Sequence, residues 1–457
     1  MGAWLEPYLV TQQAPLKRAL SDLVRIPSVC DEGAEGLPFG PVIDQALRKA
    51  LEIAGSLGFQ THYGDGYYGF AEIGEGEEML GILGHLDVVP PGNLDDWASH
   101  PFEPVEREGM LYGRGTQDDK GPLLAALFAV KALMDAGVTF NRRVRFIFGT
   151  DEETLWRCIK RYKENEEWPG MGFTPDSRFP LTHAEKGLLQ CLLEDENNSG
   201  LCLAGGSAFN AVPDSIVYNA MGQDDLAEEL DAQGFEFTRT EAGIVIHGEA
   251  AHAQTPEEGV NAIARLCIAL DALGTESRAI RFIAREVGED PYATRIFGNC
   301  ADKPSGRLKF NVGKIDIGEG ERIAIDCRIP VTVSKDVVTA KLRKAAARYG
   351  LTYKEFDWLA PIYLPLDHFM VKTLMSVYSL ISGDLVSDAV VSGGATYARA
   401  LDNCVAFGAL FPDEQLTEHQ PNERVVLSHL YRAMEIYAHA IHRLTREPGS
   451  GTTWNPN

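Results

Sequence analysis

The stretch MLGILGHLDVVP, residues 79–90, is an apolar run that finishes on His85 and, two residues later, Asp87. Its length and composition read as a short buried strand. The segments around it supply the rest of the pattern. VIDQALRKALEIAGSLGF (42–59) sets Ile43, Leu47, Leu51, Ala54 and Leu57 at helical spacing and stops at Gly58. GPLLAALFAVKALMDAG (121–137) opens with Pro122 near its first turn and closes on Gly137. RVRFIFGTDEE (143–153) is then a strand that runs into acidic residues. Strand, crossover helix, strand predicts an α/β fold with a mostly parallel sheet sandwiched by helices. In such sheets ligands bind at the carboxyl ends of the strands. His85 and the pair Glu152/Glu153 both fall there.

Beyond residue 185 the pattern changes. Strands such as GIVIHG and RIAIDCRIP mix with helices such as NAIARLCIALDAL (261–273). Helices and apolar strands like those of the first 180 residues return with FMVKTLMSVYSLIS and end in a helix over 427–446, LSHLYRAMEIYAHAIHRLTR. The expected organisation is therefore a catalytic domain in two pieces, 1–185 and 363–446, interrupted by an inserted α+β domain, 186–362, with a loose tail at 447–457. A chain of 457 residues is long for one core, which agrees with two domains.

Composition excludes several classes. The net charge of −24 argues against nucleic acid and against an anionic membrane surface. No apolar run reaches the roughly 20 residues that span a bilayer, and the N-terminus lacks the basic start and apolar stretch of a signal peptide. The eight cysteines are scattered, without a CxxC pair, so they read as reduced core residues and the expected location is the cytoplasm.

Five residues with metal-binding side chains end or follow apolar segments: His85, Asp118 in GRGTQDDKGP, Glu153 in GTDEETLW, Asp176 in GFTPDSRFP and His419 in TEHQPNE. Imidazole and carboxylate suit Zn²⁺ or Mn²⁺, and the lack of paired cysteines argues against a closed structural zinc site. Singly, each has an ordinary reading: a hydrogen-bonded core histidine, a helix cap, surface charge, a turn. Their order along the chain, each at the end of an element, is what chance does not readily produce.

GHLDVVPPG, GRGTQDDKGP, GTDEET, FTPDSRFP and HQPNE together resemble the M20 family of metallopeptidases, and within it the bacterial PepV/Sapep-like dipeptidase branch, over residues 25–425. The resemblance implies a zinc-peptidase-like catalytic domain and a hydrolase that cuts dipeptides with two divalent ions, Zn²⁺ first and Mn²⁺ or Co²⁺ as alternatives. It implies that Asp118 bridges the ions, that His85 and Asp176 complete one set, and that Glu153 and His419 complete the other. Asp87 would orient His85 through its second ring nitrogen, and Glu152 would be the general base. It also implies a cis peptide bond between Asp118 and Asp119.

In the inserted domain, GEAAHAQTPEEGVNA (248–262) resembles the family stretch whose histidine reaches the substrate; here that is His252, with Ala253 where glycine is usual. Asn210 and Arg328 are implied binders of the substrate's carboxylate, and SGGATYAR (392–399) resembles the loop that lines the other side of that pocket, which implies Gly394 and Arg399 there. An insert of this length suggests two dimerisation-type units fused into a lid, hence a monomer acting on dipeptides. An N-acyl-amino-acid deacylase or a carboxypeptidase would use the same metals, and a catalytically silent binding protein on this fold is the alternative from another class.

Overall fold

The computed structural model describes residues 4–31, 33–196 and 199–446. The chain forms two compact units: Met1–His183, Leu364–Val390 and Thr396–Asn457 make one, and Ala184–Tyr363 with Val391–Ala395 the other. The short piece Val391–Ala395 corrects the sequence reading, which puts it in the catalytic part. It joins the second unit because Lys186 N–H donates to the Ser392 carbonyl (3.0 Å) and Arg328 Nη1 to the Gly393 carbonyl (2.5 Å). The expected loose tail, 447–457, lies outside the described residues.

The first unit is built on a mixed sheet. Seven of the nine strands of that sheet lie in the order Gln60–Gly64, Tyr68–Ile73, Arg143–Gly149, Met79–His85, Met171–Thr174, Cys404–Ala406 and Thr182–Glu185. The four central strands, Arg143–Gly149 through Cys404–Ala406, run parallel. Their outer neighbours are antiparallel, so the sheet is parallel only at its centre. The reason is local. Gln60–Gly64 and Tyr68–Ile73 are joined by a tight turn with Asp65 and Gly66 at φ 52° and 77°, and a turn that short connects only antiparallel strands.

Helices cover both faces. Along Tyr68–Ile73, a methyl at Gly69 would meet Leu47 and Leu51 of helix Pro41–Ser56, while Tyr68 and Phe70 pack edge-on against Tyr162 of helix Arg157–Asn165. Helix Lys120–Asp135 is buried from Lys120 through Val130 and packs against Glu6–Val24 and Leu427–Arg446. A helix apolar all round belongs in a core. Strand Met79–His85 is likewise buried at every position. A helix-start loop can approach it because residue 84 is glycine: a Cβ there would sit 2.5 Å from Asp119 Oδ2.

The second unit is α+β. Its five-stranded sheet, Leu203–Gly205, Lys309–Ile317, Glu321–Ile329, Gly187–Asp195 and Thr352–Leu359, is antiparallel throughout. Alternate residues of Gly187–Asp195 are buried, the period of a sheet with one face on a core. Ala262–Ala272 and Lys335–Ala347 supply helical apolar faces to that core. All eight cysteines are free thiols. Among the described residues no helix is long and apolar enough to cross a membrane.

Candidate metal centre

The carboxyl ends of three parallel strands carry three of the five candidate ligands. His85 is the last residue of Met79–His85, Glu153 follows Arg143–Gly149, and Asp176 follows Met171–Thr174. Asp118 comes from the loop before helix Lys120–Asp135, after which a cis peptide bond leads to Asp119. His419 sits in the loop before strand Arg424–Val426, with its backbone in the left-handed region at φ 59°. Such conformations of non-glycine residues concentrate at functional sites.

These five side chains meet. Asp118 Oδ1 lies 2.9 Å from His85 Nε2, and Oδ2 lies 3.0 Å from His419 Nε2. Asp176 Oδ2 is 3.7 Å from His85 Nε2, and Glu153 Oε1 is 3.1 Å from His419 Nε2. Two groups of three result, His85–Asp118–Asp176 and Asp118–Glu153–His419, each with its ligand atoms within 4.8 Å. Ligand atoms roughly 2.0–2.1 Å from one tetrahedral ion lie about 3.4 Å apart, and the observed separations bracket that figure.

The electrostatics also fit cations. Burial pushes Glu152, Asp176 and Glu153 above their ordinary values; His85 opposes this and neighbouring carboxylates, Asp118 among them, add to it. Burial acts to raise Asp118 too, but hydrogen bonds from His419 and His85 outweigh it and hold this group far down. For His85, burial acts downward and is overcome by Asp118 and Asp87, leaving the ring well above its usual value. Hydrogen bonds to Asp118 and Glu153 raise His419 to about 11. Carboxylates this crowded hold protons where cations would otherwise sit. Glu152, Glu153, Asp118 and Asp176 carry four negative charges when ionised, which two divalent ions balance.

Asp87 lies at the second ring nitrogen of His85 with both its carbonyl and its carboxylate. His85 Nδ1 donates to the Asp87 backbone carbonyl at 2.9 Å, and the carboxylate is farther, at 3.5 Å. A residue two positions on along the same chain offers its carbonyl first. The carboxylate's other oxygen instead accepts the Glu153 N–H at 3.0 Å, tying a ligand of one group to the strand end of the other.

Four residues expected to bind substrate gather within the second unit. Ala211 pairs with His252 in a short ladder, and Ala253 N–H donates to the Asn210 carbonyl at 2.9 Å. Ala253 is buried and fits this ladder without the glycine usual there. Gln254 N–H donates to His252 Nδ1 at 3.2 Å, which leaves the neutral ring's proton on Nε2. Burial and the Arg328 guanidinium lower the His252 pKa, favouring that neutral form. Arg328 grips Asp326 with Nε (2.6 Å) and Nη2 (2.9 Å) and the Gly393 carbonyl with Nη1, leaving one N–H on each terminal nitrogen. Gly394 N–H donates to Ser392 Oγ. Arg399 belongs to the first unit, in the turn Tyr397–Ala400.

Sequence reasoning missed the residues that brace this centre. Asp151, fully buried, accepts from Arg157 N, Nε and Nη2, each at 2.9 Å, and Trp156 Nε1 donates to the Glu152 carbonyl at 2.8 Å. Together they close the loop that carries Glu152 and Glu153. The buried Lys120 ammonium donates to the Leu23 and Ile26 carbonyls, at and just past the end of helix Glu6–Val24. Glu423 closes the HQPNE stretch, in which the histidine alone carries a ligand signal.

Comparison with known proteins places this geometry among peptidases. A model of "Peptidase family M20/M25/M40" matches residues 81–443. The chain is 35% identical over 466 residues to "Putative dipeptidase YtjP" of Bacillus subtilis strain 168, an alignment covering 96% of this chain and 99% of that one. Its fold is similar to that of human carnosine dipeptidase 1 (TM-score 0.59, 16% identity, 98% and 100% of the chains). It is also similar to that of the dipeptidase Dug1p of Saccharomyces cerevisiae (TM-score 0.61, 15% identity, 98% and 100%).

Proposed function

The chain belongs to peptidase family M20/M25/M40 and is a peptide-bond hydrolase, and on that premise we propose that it is a dipeptidase working with two divalent metal ions. The observation that carries this reading is one carboxylate, Asp118, whose two oxygens each face a different histidine. His85 and Asp176 would hold one ion with it, Glu153 and His419 the other. When bound, such a pair polarises a carbonyl and makes water acidic enough to act as a nucleophile near neutral pH. Zn²⁺ suits the donor set, and Mn²⁺ and Co²⁺ are accommodated by the same atoms.

Glu152 is the proposed general base. It follows the same strand as Glu153 but belongs to neither ligand group, and burial raises its pKa towards the range where a carboxylate both takes and returns a proton. It would accept the attacking water's proton and return it to the departing amine. His252, with its proton on Nε2, has the donor that an oxyanion needs. The two remaining Arg328 N–H groups suit a terminal carboxylate, with Asn210, Gly394 and Arg399 as further binders. Free thiols throughout support a reducing compartment, the cytoplasm, and the long insert supports a monomer.

A substrate panel tests the reading. Dipeptides with free amino ends are expected to be cleaved, with activity lost to a chelator and restored by Zn²⁺, Mn²⁺ or Co²⁺. Preference for N-acyl amino acids or longer peptides, or activity indifferent to chelation, would overturn it.

A further inference from the structure

The loop that carries Asp118 and the loop that carries His419 hold one another by their side chains. Glu423 is fully buried, and its Oε1 accepts the backbone N–H groups of Gly115 (3.0 Å), Gln117 (2.9 Å) and Asp118 (3.2 Å). Its Oε2 accepts from Arg114 Nη1 at 2.7 Å, and its own carbonyl accepts the Gly113 N–H at 2.9 Å. In return, Gln117 Oε1 accepts the N–H groups of Thr417 (2.7 Å) and Glu418 (2.9 Å), the two residues before His419. Gly113 and Gly115 stand at φ 156° and 87°, so the loop can turn successive N–H groups onto one carboxylate.

Arg114 reaches only Oε2, so the second oxygen of this buried carboxylate needs other donors, and the donors it takes are all backbone N–H groups of the ligand-bearing loop. Here three of the four bonds to the Glu423 carboxylate run to the loop backbone, the last at Asp118 itself. Gln117, immediately before Asp118, accepts the two backbone N–H groups that lead into His419. Two loops 300 residues apart in sequence, each bearing a ligand, are thereby stitched reciprocally.

We infer that Glu423 and Gln117 are positioning residues, setting the spacing of the two metal positions by fixing the Asp118 loop against the His419 loop. The inference rests on the two-metal reading above and goes further in assigning different reach to the two side chains. Glu423 acts on Asp118, which both positions share, so its loss weakens both. Gln117 acts on the His419 loop, so its loss weakens one.

The test titrates metal-free protein with Zn²⁺ against a chromophoric chelator, for wild type, Glu423→Gln and Gln117→Met, alongside unfolding midpoints and steady-state kinetics. Wild type is expected to bind two ions. Glu423→Gln should bind both roughly 10–100-fold more weakly, and Gln117→Met only one of them, with KM for a dipeptide unchanged at saturating metal. Unchanged affinities in both variants, whatever happens to the unfolding midpoint, would overturn the inference. Should Glu423→Gln fail to fold, the partly exposed Gln117 decides alone: affinities equal to wild type overturn it. Wild type that binds no Zn²⁺ overturns the two-metal reading itself, a result distinguishable from failure of the variants.

Discussion

His85 and His419 face opposite oxygens of Asp118, yet they come from different kinds of backbone. His85 ends a strand buried at every position, is itself 0% exposed, and is fixed through both ring nitrogens. His419 rides a loop in the left-handed conformation, and its side chain is 52% exposed. One half of the centre is thus part of the core, and the other is placed over it by loops. Two ions held here would therefore differ in affinity and exchange, the inner one resting on the sheet and the outer one on how the loops are held.

The largest expected effect falls on chemistry and spares both halves. Glu152→Gln should retain both ions, measured by elemental analysis, while kcat drops by about 10³-fold or more. Ordinary turnover in that variant would remove Glu152 from the mechanism.

Removing each histidine in turn separates the halves. His85→Ala leaves Asp118 buried without its inner partner and should destabilise the metal-free fold by about 3 kcal/mol in urea, with loss of the inner ion. His419→Ala, at a half-exposed position, should cost less than His85→Ala and leave one ion per chain. Equal costs and equal metal content would erase the distinction between the halves.

A smaller effect follows from pH. In the metal-free protein His419 is raised to about 11 and His85 is also raised, so both rings hold protons at neutral pH that metal must displace. Apparent metal affinity should therefore increase with pH between about 6 and 8, up to roughly tenfold per unit for each proton released. A histidine raised on folding stabilises fully below its unfolded value near 6.5, and that contribution is lost as pH climbs through the folded value. The metal-free protein should accordingly lose stability from about pH 6.5 towards 11, and the metal-loaded protein much less. Unfolding midpoints of the two forms across that range check the sign.

Much of this arrangement is legible in the sequence because it lies where local signals are strong. The apolar run into His85, the helix opened by Pro122 and the strand into Glu152 follow from periodicity and punctuation, and each sits at the element end expected of it. The antiparallel flank of the sheet is not legible, since strand direction is set by a short turn near Gly66 and not by apolar pattern. Val391–Ala395 changes units through hydrogen bonds to its backbone carbonyls, which its own side-chain composition does not announce. Asp87 sits beside the ring nitrogen that its spacing suggests, but sequence does not tell that its carbonyl lies closer to that nitrogen than its carboxylate. Glu423 and Gln117 are invisible for a similar reason: their partners are backbone N–H groups, which nearly every residue carries.

The central claim is that Asp118 is shared between two metal positions of unequal burial. Counting metal ions in a dipeptide-cleaving preparation and locating them by anomalous diffraction tests it directly. The account predicts two ions per chain, one contacting His85 and Asp176, the other Glu153 and His419, with Asp118 contacting both. A single ion that touches only one histidine in the fully active enzyme would contradict it.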